Sequence, residues 1–136
     1  MSWCAPAIDS DSGELYCSTI CGGSIYNATT VISAAHCCVG ASESGLDWSD
    51  FAIVAGELDV LADSGFEQVK KIKSHLMHPE YNSNTLKNDI CLLTVDTPFE
   101  FNDQVKAIPL DTDGPSSGKK CQVSGWGTLT VRSSVF

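Results

Sequence analysis

Residues 21–38 have the sequence CGGSIYNATTVISAAHCC, and the interpretation of the whole chain begins from this stretch. Isoleucine, valine and threonine favour β structure, so we predict strands at 22–26 and 29–33 with a turn between them. A short helical turn at 34–38 then carries His36. Imidazole titrates near neutral pH, so a histidine in this position is suited to take a proton from a hydroxyl nucleophile.

Two further motifs follow this stretch: NDICLL, which contains Asp89, and CQVSGWG, which covers residues 121–127. A histidine base works best with a carboxylate behind it, because the carboxylate fixes the imidazole tautomer and stabilises the imidazolium. His36 and Asp89 are 53 positions apart (89 − 36), so only folding can bring them together. In this order the three motifs resemble the chymotrypsin/trypsin-like serine proteases, and the resemblance extends over residues 21–127.

The predicted fold class is all-β. Short apolar runs separated by turn signals, without long helical periodicity, favour an antiparallel barrel. The resemblance implies the trypsin-like double-barrel fold, in which the active site lies between two antiparallel β-barrels. The predicted parts are an irregular segment at 1–20, a first barrel at 21–110 with His36 and Asp89, a linker at 111–118, and the first strand of an incomplete second barrel at 119–136.

The remaining predicted strands are short and mostly apolar, and one loop rich in Gly and Ser separates the histidine from the strands that follow it. We expect that loop at 39–49, and strands at 15–20, 51–56, 67–75, 89–95, 105–110 and 119–129.

The resemblance implies that His36 is the general base and Asp89 its orienting carboxylate, with Ser33 helping to hold Asp89. The family carries its nucleophile in a Gly-Asp-Ser-Gly-Gly-like stretch well beyond SGWG, together with the oxyanion hole and the specificity pocket. None of these motifs occurs in the 136 residues, nor does the Ile-Val-Gly-Gly-like start of the family's mature chains. Because loss of triad members lowers turnover about a million-fold, we expect the chain as given to be inactive.

Two other functions remain open at this stage. The first is a non-catalytic binding protein built on a protease-like barrel, although such a protein has no need of both His36 and Asp89. The second is a small structural or inhibitory domain held by disulfides, which the order of the motifs disfavours. A single histidine is usually a satisfied core residue, and an aspartate at a strand end is usually a cap; the flanking SAAHC and NDICLL motifs favour the functional pair instead.

Seven cysteines favour an oxidising, extracellular setting, and no secretory signal or transmembrane segment is visible in the sequence. The resemblance implies a Cys21–Cys37 disulfide. A Cys4–Cys17 bridge is possible, while Cys91 looks like a buried thiol. By the same resemblance, Cys121 matches a cysteine whose disulfide partner lies in a later part of the family's chains. Zinc bound by His36, Cys37 and Cys38 is disfavoured, because adjacent ligands lack the usual spacing of structural zinc sites.

The acidic loop at 57–67 resembles the calcium loop of the family. By that resemblance Glu57 and Glu67 supply carboxylates, and Asp59 and Ala62 supply main-chain carbonyls, to a structural calcium ion. Calcium takes six to eight oxygens, so such a loop needs every one of these groups. A solvated acidic hairpin is the alternative, and no cofactor is required for the chemistry.

The composition limits the classes of molecule that the chain can bind. The net charge of −9 argues against nucleic acid and anionic membrane, which both reward clustered Lys and Arg. Protein or peptide substrates are what the resemblance to the protease family implies. Asn27-Ala-Thr matches the N-glycosylation pattern, although a turn explains an asparagine equally well. His75 and His78 are expected at the surface. The sequence contains no indication of oligomeric state.

Overall fold

The computed structural model describes residues 1–8, 15–59, 64–114, 117–118 and 120–127. Seven strands and one α-helix form the described part, with a single 3-10 turn at Trp48–Asp50. In chain order these are β1 (Ser2–Ile8), β2 (Leu15–Gly22), β3 (Ser24–Asn27), β4 (Thr30–Ser33), α1 (Ala35–Glu43), β5 (Ala52–Ala55), β6 (Gln68–Met77) and β7 (Cys91–Val95).

All neighbouring strands are antiparallel, and the sheet has the order β2-β1-β5-β6-β7-β4-β3. The two outermost strands are consecutive in the chain and are separated by Gly23 alone, so the sheet curls round on itself. A side chain at Gly23 would lie 2.7 Å from the carbonyl oxygen of Ile32, which explains the glycine at this close approach. The predicted all-β antiparallel architecture is confirmed.

The longest strand, β6, joins the two halves of the sheet. Its first residues pair with β5, and its later residues pair with β7. The register shifts between Ile72 and Ser74, where the partner changes. An extra residue of this kind bends a strand and increases its twist, so β6 can turn the sheet around the core.

The core lies inside the curled sheet, and in β4 and β7 buried side chains alternate with partly exposed ones, as the period of two requires. In β7 the residues Cys91, Leu93 and Val95 are buried, while the residues between them are partly exposed. Burial of one such aliphatic side chain stabilises the fold by about 1.5–3 kcal/mol. The largest fully buried side chains come from several strands and the loops between them: Trp3, Phe51, Ile53, Leu93, Val31 and Val105.

The first segment of the chain differs from our prediction. We expected irregular structure at 1–20 with a strand at 15–20, but β1 and β2 form a hairpin that pairs from Ser2↔Gly22 to Ile8↔Leu15. Burial explains the difference, because Trp3 is fully buried and anchors β1 beside β5. The turn-forming residues that suggested irregularity lie at 9–14, outside the described residues.

The loop predicted at 39–49 is also wrong, because α1 continues to Glu43 and the 3-10 turn occupies Trp48–Asp50. Ala41 is buried on the same face as Cys37 and Cys38, and this apolar spacing extends the helix past the expected end. The helix has nine residues, and within the described part of the chain no helix is long and apolar enough to cross a bilayer.

Two predicted strands near the end of the described chain do not form. Residues 105–110 are not a strand, although Val105 is buried and the amide of Ile108 donates to the carbonyl of Ile25 at the edge of β3. Residues 120–127 are not a strand either, and Val123 is 95% exposed. A strand needs a ladder of bonds along a partner edge; residues 105–110 make one backbone bond to the edge of β3, and residues 120–127 make none to a strand of the described part. The division into barrel, linker and second barrel stays a prediction.

Candidate active site

His36 is the second residue of α1, and its position follows from how that helix begins. Ala34 precedes the helix in an extended conformation, and its methyl side chain cannot accept a hydrogen bond. The carboxylate of Asp89 takes over this role, because its Oδ1 accepts the N–H of His36 at 2.9 Å. A residue from a distant part of the chain therefore caps the helix, where a negative charge is favourable.

The same carboxylate holds the imidazole. Nδ1 of His36 lies 2.8 Å from Oδ2 of Asp89, so Nδ1–H donates to the carboxylate and Nε2 keeps its lone pair. Cys37 Sγ lies 3.5 Å from Nε2, but this sulfur belongs to a disulfide and has no proton to donate. The His36 side chain is 56% exposed, so Nε2 is open to a hydroxyl from outside.

The electrostatics keep Asp89 ionised. Hydrogen bonds from the imidazole of His36, and then from its backbone amide, hold the pKa of Asp89 below its ordinary value of 3.8, although burial opposes them. Burial and then the charge of Asp89 raise the pKa of the Tyr81 phenol. At neutral pH a carboxylate therefore faces the imidazole and is able to stabilise an imidazolium.

The turn before β7 places Asp89. Asn88 has a φ of 56°, in the left-handed region that asparagine tolerates, and its side-chain amide donates to the carbonyl of Glu80 at 3.0 Å. The N–H of Ile90 donates to the carbonyl of Asn88, and the carbonyl of Ile90 accepts the N–H of His78. These bonds fix the backbone on both sides of the carboxylate.

The predicted role of Ser33 is wrong. Its hydroxyl donates to the carbonyl of Gly22 at 2.9 Å and not to Asp89. Ser33 lies in β4 directly opposite Cys91, two residues beyond the aspartate. The hydroxyl satisfies a backbone acceptor at the end of β2, which is the usual role of a buried serine.

Three disulfides are present in the described residues: Cys21–Cys37, Cys4–Cys17 and Cys38–Cys91. The prediction of Cys91 as a buried thiol is wrong. One signal that we did not use is the spacing, because Cys38 and Cys91 are separated by 53 residues, as are His36 and Asp89. The zinc site that the sequence disfavoured would need free thiolates, whereas the sulfurs of Cys37 and Cys38 are bonded to other cysteines in this structure.

Glu57 and Glu67 flank the acidic loop, and the backbone segments that carry them lie side by side. Gly56, with a φ of 81°, approaches Phe66 so closely that a side chain would lie 2.4 Å from the Phe66 carbonyl oxygen. Glu57 Oε1 is buried and has no hydrogen-bond partner among the described residues, which suits a cation ligand. Glu67 Oε1 already accepts the N–H and the hydroxyl of Ser64. Asp59 is exposed, and Ala62 lies outside the described residues.

Asn27 is exposed at the turn between β3 and β4. Its Oδ1 accepts the N–H of Thr29 at 2.9 Å and the Thr29 hydroxyl at 3.2 Å. These bonds use the oxygen and leave the side-chain nitrogen, which is the atom that carries a glycan.

The two other histidines are less exposed than we expected. The ring of His75 stacks on that of Trp48 with centroids 3.8 Å apart, and burial lowers the pKa of His75. Nδ1 of His78 accepts the N–H of Glu80 at 3.1 Å. Neither residue contacts the pair of His36 and Asp89 through a described hydrogen bond.

Comparison with known proteins shows which family this chain resembles. The family model described as Trypsin matches residues 4–135. Trypsin-3 of Salmo salar is 39% identical over 116 residues, which cover 85% of this chain and 45% of the relative. Serine protease 1 of Canis lupus familiaris is 37% identical over 79% of this chain and 40% of its own length. Trypsin alpha of Drosophila melanogaster is 36% identical over 84% of this chain and 41% of its own. The chain thus spans less than half the length of these relatives.

Proposed function

Because the chain belongs to the trypsin family, we propose that it supplies the general base and the orienting carboxylate of a secreted serine endopeptidase acting on proteins or peptides. The observation that carries the proposal is the double contact of Asp89, which binds both the imidazole and the backbone amide of His36. A carboxylate in this position keeps the proton on Nδ1 and leaves Nε2 basic, as a general base requires.

In the proposed mechanism, Nε2 of His36 takes the proton of a serine hydroxyl as that oxygen attacks the substrate carbonyl. The imidazolium then forms beside an ionised Asp89 and later gives the proton to the leaving amine. We propose that the serine, the oxyanion hole and the specificity pocket come from outside these 136 residues. Within the described residues, no serine hydroxyl bonds to His36, so the 136-residue chain alone is expected to have no peptidase activity.

A chimera tests the proposal. Residues 1–127 of this chain are joined at the SGWG motif to the matching second half of Trypsin-3 of Salmo salar, and the product is assayed on peptides cut after basic, aromatic and small residues. We expect hydrolysis that falls by about 10⁶-fold in His36→Ala, while the control His78→Ala retains it. Activity that survives His36→Ala would reject the proposal. A folded but inactive chimera would favour the non-catalytic binding protein.

We also propose that Glu57 and Glu67 bind a structural calcium ion, with Asp59 and Ala62 as the further candidates. The proposal is supported by Oε1 of Glu57, which is buried and has no hydrogen-bond partner among the residues that the structure describes. The ion would neutralise the carboxylates and hold the loop closed, and it would take no part in the chemistry.

Secretion is proposed from the three disulfides, which form and persist in oxidising compartments. In that setting Asn27 is a proposed glycan acceptor. Expression through a eukaryotic secretory pathway should give a product whose electrophoretic mobility increases on endoglycosidase treatment. The Asn27→Gln variant should lack this shift, and a wild-type product without the shift would reject the glycan.

A further inference from the structure

The disulfide between Cys38 and Cys91 lies beside the pair of His36 and Asp89. Cys38 follows His36 by two residues in α1, and Cys91 follows Asp89 by two residues at the start of β7. Both cysteines are 0% exposed, and their Cα atoms are 6.7 Å apart. The bond therefore joins the helix that carries the base directly to the strand that follows the acid.

Apart from the cap that Asp89 supplies, the helix has few features that hold it in place. A helix of nine residues is marginally stable in isolation. Ala34 offers it no side-chain cap, and its first turn contains no acidic residue. Its buried face consists of four small residues, namely Ala35, Cys37, Cys38 and Ala41. Small side chains bury little apolar area, so the two disulfides of this face take the place of large packing residues.

The two disulfides act in different directions. Successive residues of an α-helix point about 100° apart, so the side chains of Cys37 and Cys38 leave the buried face in directions about 100° apart. Cys37 is bonded to Cys21 near the end of β2, and Cys38 is bonded to Cys91 in β7. One tether alone leaves the helix free to pivot about it. The second tether removes that freedom and fixes the distance to β7, the strand that follows Asp89.

We propose that the Cys38–Cys91 disulfide is a positioning element of the active site, which holds the start of α1 against β7 so that His36 meets Asp89. The proposal rests on the proposed function of that pair. Full burial of both sulfurs shields them from reductants and thiols, which favours permanent positioning over a redox switch.

The test removes the bond without leaving free thiols. In Cys38→Ala/Cys91→Ala, the pKa of Asp89, measured by NMR titration of the aspartate carboxyl carbons in the 136-residue chain, should rise from its depressed value toward the ordinary 3.8. The matched control is Cys4→Ala/Cys17→Ala, which removes the disulfide of the β1–β2 hairpin and should leave that pKa unchanged. In the chimera, the first variant should lower kcat by up to about 10²-fold with KM unchanged, as for a misplaced catalytic group.

The outcomes separate the two proposals. An ordinary Asp89 pKa in the unaltered chain would mean that the pair does not form, and the proposed function would fail with the inference. A depressed pKa that stays depressed in Cys38→Ala/Cys91→Ala would reject only the positioning role. Cys38→Ala/Cys91→Val refills the volume if the first variant unfolds. If both variants are unfolded at pH 7, the disulfide is a requirement of the fold as a whole, and the proposal is rejected.

Discussion

The junction of α1 with β7 and the acidic loop at 57–67 both hold carboxylates that the sequence singles out, but they stabilise them by different means. At the junction, the chain itself satisfies the carboxylate of Asp89 with hydrogen bonds from His36, and a disulfide closes the gap two residues further on. In the loop, Ser64 satisfies one oxygen of Glu67, while Glu57 Oε1 is buried without a hydrogen bond among the described residues.

This difference separates a preformed site from one that depends on a ligand. A carboxylate that accepts several hydrogen bonds from its own chain is stable as an anion without any added ion. A buried carboxylate oxygen without a donor is costly until a cation or water arrives. We therefore expect the junction to be insensitive to calcium and the loop to respond to it.

The largest effect is expected from the acid at the junction. Asp89→Asn in the chimera should lower kcat by about 10⁴-fold, which is the magnitude known for a Ser-His-Asp triad whose aspartate becomes asparagine. The amide presents an N–H to the imidazole and favours the wrong tautomer. Glu57→Gln should leave kcat within about twofold, since the loop takes no part in proton transfer. Comparable losses of kcat in Asp89→Asn and Glu57→Gln would contradict the assignment of proton transfer to the junction and not to the loop.

The next effect concerns the covalent bond at the junction. Cys38 and Cys91 close a loop of 53 residues, and on the chain-entropy model their bond stabilises the fold by about 4 kcal/mol. Cys4 and Cys17 close a loop of 13 residues, worth about 3 kcal/mol. Denaturant unfolding of the two double alanine variants should therefore show the larger loss of unfolding free energy for the junction. The opposite order would show that the hairpin disulfide is the more important one.

Calcium should produce a smaller effect, confined to the loop. At ten to a hundred times its dissociation constant, a ligand of the folded state raises the unfolding free energy by about 1.4–2.7 kcal/mol. Thermal unfolding in millimolar calcium should show this gain in the unaltered chain and lose it in Glu57→Gln. Glu80→Gln, at an exposed glutamate outside the loop, should keep the gain. An unchanged Tm would leave the loop as a solvated acidic hairpin.

The smallest effect is the pH dependence of stability that comes from Asp89. Because its folded-state pKa is depressed, its contribution is present above pH 3.8 and is lost as pH falls through the lower folded-state value. Asp89→Asn should therefore flatten the acid limb of the stability curve below about pH 4. Asp103→Asn, at a side chain that is 94% exposed, should keep the limb. If the unfolding free energy of Asp89→Asn fell with pH as steeply as that of the unaltered chain, the hydrogen bonds between Asp89 and His36 would be contradicted.

How much of the fold and the site the sequence predicts depends on whether each feature is set by neighbouring residues or by residues distant in the chain. β-Branched residues in the second strand of the first stretch and a short apolar run at 89–95 predicted β3, β4 and β7 to within two residues, because local propensity and burial agree there. The flanking motifs predicted that His36 and Asp89 are partners, but they did not indicate that the carboxylate of Asp89 also caps α1. That cap depends on a contact across 53 positions, which local patterns do not register.

The failures have a common physical cause. Residues 105–110 and 120–127 have strand-like composition, yet a strand forms only beside a free edge, and composition does not reveal edges. Cys91 has the surroundings of a buried thiol in the sequence, and only the placement of Cys38 opposite it creates the disulfide. In both cases the missing information is the identity of the tertiary partner.

The hydrogen bond between Nδ1 of His36 and Asp89 is open to direct observation by NMR of the chain labelled with ¹⁵N-histidine, because the sequence contains only three histidines. We predict that neutral His36 carries its proton on Nδ1 and that this proton exchanges slowly with water. Asp89→Asn should abolish the signal of this proton and leave the ring ¹⁵N resonances of His75 and His78 unchanged. A neutral His36 protonated on Nε2, or an Nδ1 proton that is indifferent to Asp89→Asn, would contradict the base–acid pair.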